Sequence, residues 1–92
     1  MKTDRSWFKL AATIADNLPT VPPLDCPKCG LPNIDFQYVG DQKAMRGFLC
    51  IWCTSCLHGS HISGIRIPQQ ADILSKEPVE AVKNRIPNFI AG

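Results

Sequence analysis

At 92 residues the chain is one domain, small enough that an apolar core alone would hold it only marginally. No stretch approaches the roughly 20 consecutive apolar residues of a membrane span, so no membrane role is expected. Ten basic residues against eight acidic ones leave a formal charge of +2, mixed along the sequence, which weakens an electrostatic grip on nucleic-acid phosphates.

The opening "MKTDRSWFKLAATIADN" breaks any apolar run with Lys9, Thr13 and Asp16, so no secretory leader is expected and the protein is taken as cytoplasmic. Thiols stay reduced there, and an odd count of five cysteines points to metal ligation before disulfides. Trp7, Ala11, Ile14, Ala15 and Leu18 recur at helical spacing and predict an amphipathic helix over residues 5–18. "LPTVPP" ends it, because proline removes backbone donors and forces an extended path. Trp7 and Phe8 either cover a small core or present the helix to a partner.

Next comes "CPKCG", with Cys26 and Cys29 spaced so that a tight turn can aim both sulfurs at one ion, and with Gly30 free to take the positive φ that closes it. Three short strands follow, over residues 34–39, 46–52 and 61–67, rich in aromatic and β-branched residues. The second ligand pair is either Cys50 with Cys53 or Cys53 with Cys56. On a strand through "FLCIW", Cys50 and Cys53 face opposite ways, and "CTSC" holds the small polar residues of a turn, so Cys26, Cys29, Cys53 and Cys56 are the expected ligands. Cys50 then reads as a small buried hydrophobe. His58 or His61 remains an alternative to Cys56, since imidazole also binds zinc. Leu57 stands where the first turn has glycine, and leucine resists positive φ, so the second turn is expected either to be more open or to return through "HG". Pro68 stops strand pairing, a polar linker follows, and a short helix is predicted over residues 78–85 before Pro87.

These residues, "CPKCG" with "CTSC" among short strands, resemble the zinc ribbon family over residues 26–67. Residues 1–25 are then an N-terminal helix with a Pro-rich linker, and residues 68–92 a C-terminal tail with a short helix. The expected fold is a small zinc-bound α+β domain, a three-stranded antiparallel zinc ribbon flanked by the two helices. One structural zinc ion is the expected cofactor. The four cysteines are also similar to those of rubredoxins, which hold iron for electron transfer, although the second pair lacks that family's "CPxCG" form.

A catalytic zinc needs an open position and usually a nearby carboxylate, and the first glutamate is Glu77, beyond the ribbon, so no enzyme activity is expected. Function is then expected in protein-protein binding, as adaptor, accessory subunit or inhibitor, with Trp7, Phe8 and Phe89 as anchors. The ribbon with its short "IP"-bounded tail looks like small bacterial zinc proteins that serve as toxin-neutralising immunity proteins or regulators. The alternative is a nucleic-acid-binding ribbon or transcription regulator in which Lys43, Arg46 and Arg66 touch phosphate and Phe36, Tyr38 or Trp52 stack on bases.

Overall fold

The computed structural model describes residues 5–91. The helical spacing of the N-terminal apolar residues forms helix α1 (Arg5–Asn17), with Trp7 and Ile14 buried along one face. In its last turn the Asn17 Nδ2 donates to the Thr13 carbonyl at 2.7 Å. A meander follows, of β1 (Ile34–Asp41), β2 (Arg46–Cys53) and β3 (His58–Arg66), with both neighbouring pairs antiparallel.

The period of two along the strands divides the sheet into two unlike faces. Phe36 lies opposite Ile51 and Tyr38 opposite Leu49, and this face carries the core of Trp7, Ile14, Tyr38, Leu49, Ile51 and Ile67. The other face holds Asp35 opposite Trp52, Gln37 opposite Cys50 and Val39 opposite Phe48. One extra residue in β3 sets Ser63 and Gly64 against Phe48 alone, a bulge that turns Ile65 towards the core face and Arg66 to the outer one.

The sheet corrects the expected three-stranded antiparallel ribbon: it is mixed and five-stranded, in the order β4-β1-β2-β3-β5. Strand β4 (Ile73–Leu74) runs parallel to β1 at Tyr38 and Val39, and β5 (Ile90–Ala91) runs parallel to β3 at His58 and Gly59. An edge strand leaves a row of unpaired backbone groups, and two segments of the expected linker and tail partly cover both edges. Strand β3 also begins at His58, three residues before the start expected at residue 61. Helix α2 (Val79–Arg85) starts after Pro78, which is its N-cap, and buries none of its residues.

Helix α2 is instead held to the outer face by its last residue. The Arg85 guanidinium donates to both carboxylate oxygens of Asp35, at 3.0 and 3.1 Å, and to the Phe36 carbonyl at 3.0 Å, while its Nε donates to Gln37 Oε1 at 3.0 Å. It also lies over the Trp52 ring, 5.2 Å from the centroid. Phe89 stacks parallel to Trp52 with centroids 6.5 Å apart. Gly59 makes room for that ring, since a Cβ there would come within 2.7 Å of Phe89. The C-terminal segment is therefore a strap over the face that α1 leaves open.

Candidate metal centre

Two turns with matching bonds build the site. In the first, the Gly30 amide donates to the Cys26 carbonyl at 2.9 Å and the Lys28 and Cys29 amides point at Cys26 Sγ, at 3.3 and 3.4 Å. In the second, the Leu57 amide donates to the Cys53 carbonyl at 2.9 Å and the Ser55 amide points at Cys53 Sγ at 3.4 Å. Gly30 has φ +80° and Leu57 φ +60°. Leucine thus takes the left-handed conformation, and the expected open second turn is corrected: it closes like the first. The amide bond to Cys53 and the β3 pairing that follows dictate the backbone, and the side chain accepts the strain.

The turns bring Cys26, Cys29, Cys53 and Cys56 together, their sulfurs all within 4.8 Å of one another. Cys26 Sγ lies 3.6 Å from Cys56 Sγ, and Cys29 Sγ 3.6 Å from Cys53 Sγ. A tetrahedral ion with metal–sulfur bonds of about 2.3 Å requires sulfurs roughly 3.8 Å apart, so the four residues fit one ion and can hold it. Cys26 and Cys53 are buried and Cys29 is exposed, so the centre sits at the surface with one side to solvent.

Without a metal the sulfurs share protons unequally. A backbone hydrogen bond at Leu31 draws the Cys29 thiol down, but desolvation and bonds to Cys53, Cys26 and Cys56 push it up to about 12. Desolvation pushes Cys53 up, yet backbone amides of Cys56 and Ser55 and bonds from the Cys29 and Cys56 side chains draw it down to about 7. Cys50 stands apart, buried on the outer face, its thiol pushed up to about 11 by burial.

Neither histidine joins the cluster among the described residues. His58 Nδ1 is buried with no hydrogen-bond partner there, and His61 packs edge-on against Phe48 with centroids 4.5 Å apart. Of the expected anchors, Trp7 is wholly buried in the core and Phe89 is engaged on Trp52, while Phe8 is exposed on α1. Of the expected stacking residues, Tyr38 and Trp52 are buried and Phe36 packs against the core.

Sequence reasoning did not find Asn33, which ties the second turn to the start of β1. Its carbonyl accepts the Thr54 amide at 2.9 Å, and its Nδ2 donates to Ser55 Oγ at 2.6 Å. The available signal was an asparagine just after Pro32, where turn chemistry is expected. Among the described residues no helix is long and apolar enough to cross a membrane. Comparison with known proteins returned no matching family, no matching curated protein and no matching solved structure, so function has to be argued from these residues.

Proposed function

We propose that the protein is a non-enzymatic, cytoplasmic binding module whose fold is held by one structural zinc ion, and that it docks on another protein through its metal-bearing end. The four-sulfur set carries this reading. A catalytic zinc keeps one position open for water, whereas four thiolates fill a tetrahedron, and among the described residues no histidine or carboxylate joins the set. Sulfur tetrahedra suit zinc and iron alike. The second turn, "CTSCL", departs from the rubredoxin form, which favours zinc.

The docking end is marked by Leu31 and Leu57, one on each turn, and by Ile90, all three exposed. Ile90 is a neighbour of Leu57, whose carbonyl accepts its amide at 2.6 Å. A left-handed leucine costs about 1–2 kcal/mol, and Leu57 gains little burial within the chain in return. Display of an apolar side chain to a partner accounts for that cost.

Elemental analysis of the purified protein tests the metal: one zinc per chain is expected, retained in Cys50→Ser and lost in Cys53→Ser, and iron or an empty protein would overturn the assignment. A photocrosslinking residue at position 31 tests the docking end in cells, and adducts forming only from position 8 on α1 would place the partner elsewhere.

A further inference from the structure

The bulge in β3 puts Arg66 directly opposite Arg46, and both lie on the outer face of the sheet. Like charges paired across strands oppose folding. Asp41, the register partner of Arg46 on β1, turns its Oδ1 to the Lys43 and Ala44 amides of the turn, at 2.8 and 3.4 Å, and forms no ion pair with either arginine. Among the described residues neither guanidinium has an ion pair or hydrogen bond. Lys43 and Lys76 line a cleft at the same end of the sheet together with Asp41 and Glu77, so that cleft is charge-balanced and the two arginines carry the local excess. Two residues further along β2, on the same face, Phe48 is half-buried with the exposed ring of His61 against it.

We propose that Arg46, Arg66, Phe48 and His61 form a platform for single-stranded nucleic acid, the arginines holding phosphate and the ring pair receiving a base. Charge complementarity selects an anionic chain, and an aromatic step beside the cations selects bases over acidic side chains. Phe48 stands about 7 Å from Arg46 along the strand, a spacing that lets one nucleotide span both, and His61, in register with Cys50, leans its ring against Phe48 from the far side. Arg46 begins β2 and Cys53 ends it, so the arginine row lies roughly 23 Å, and Phe48 roughly 17 Å, from the metal-bearing end. The platform therefore goes beyond docking there and leaves that end open to a protein.

The test uses the zinc-loaded full chain and fluorescence anisotropy of a labelled oligo(U) or oligo(dT) of about 12 nucleotides, read between about 50 and 200 mM salt. Binding should weaken with salt, with a log–log slope of about −1.4 for two phosphates. Arg46→Gln and Arg66→Gln, both at exposed positions, should each lower affinity about tenfold and flatten the slope by about 0.7. Phe48→Leu should lower affinity and leave the slope unchanged, and Lys9→Gln on α1 should do nothing. No binding at the lowest salt overturns the proposal, as does parental affinity in both arginine variants. Equal competition by oligoglutamate with no effect of Phe48→Leu overturns it too, and would assign the face to an acidic protein.

Discussion

Leu57 holds φ +60° at the position that Gly30 fills in the first turn, with its side chain exposed. Glycine there would remove a strain of about 1–2 kcal/mol, partly offset by the greater freedom it gives the unfolded chain. Leu57→Gly is therefore expected to stabilise the metal-bound protein by about 0.5–1 kcal/mol, a rise of roughly 2–8 °C in Tm for a domain of this size, with zinc content unchanged. Differential scanning calorimetry decides it: a lower Tm would mean that the leucine side chain is held by packing. At this scale the sequence was legible wherever spacing and side-chain size decide. Cys50 was separable from Cys53 because strand alternation places them on opposite faces, and "CTSC" over "CIWC" followed from turn chemistry. Leu57 was not legible, because intrinsic preference lost to the amide bond to Cys53 and the pairing beyond it.

The strap is the part of the fold least visible in sequence. Helix α1 and the three long strands announce themselves by period, but β4 and β5 are two residues each, too short for any period to show. Arg85 ends the helix predicted over residues 78–85, while its carboxylate partner lies fifty residues earlier. A fork-to-carboxylate pair and a ring contact can only be found in three dimensions. Arg85 and Asp35 are each about two-fifths exposed, so the ion pair itself contributes modestly. The stack of Phe89 on Trp52 carries more, because it covers the largest apolar side chain of the outer face. Phe89→Ala is expected to cost about 1–2 kcal/mol in chemical denaturation and to shift Trp52 emission to the red as water reaches the indole. Arg85→Gln should cost less than about 1 kcal/mol. Equal losses from the two variants would show that the guanidinium network, and not the aromatic stack, fixes the strap.

Across the whole molecule, the metal centre joins segments far apart in sequence. The first turn follows the linker from α1, the second links β2 to β3, and the Ile90 amide fastens the strap to the second turn at Leu57. A structural zinc contributes roughly 10–16 kcal/mol of apparent binding free energy, against about 5–15 kcal/mol of net stability for an ordinary domain. A chain this small is therefore expected to lose its fold with its metal. Protons set the conditions. In the metal-free cluster Cys29 is pushed up to about 12 and Cys53 drawn down to about 7, so at neutral pH Cys29 keeps its proton and Cys53 is only partly ionised. Zinc must displace those protons to bind, which makes its affinity rise with pH and fall in acid. Mild acid and chelator at neutral pH should then do the same thing, releasing zinc and unfolding the sheet in one transition. Far-ultraviolet circular dichroism and a zinc-sensitive dye, followed together, should trace superimposable curves. Metal release that leaves the Tyr38 and Ile51 amides protected from hydrogen exchange would show instead that α1 and the strands fold unaided, with the ion securing only the turns and the strap.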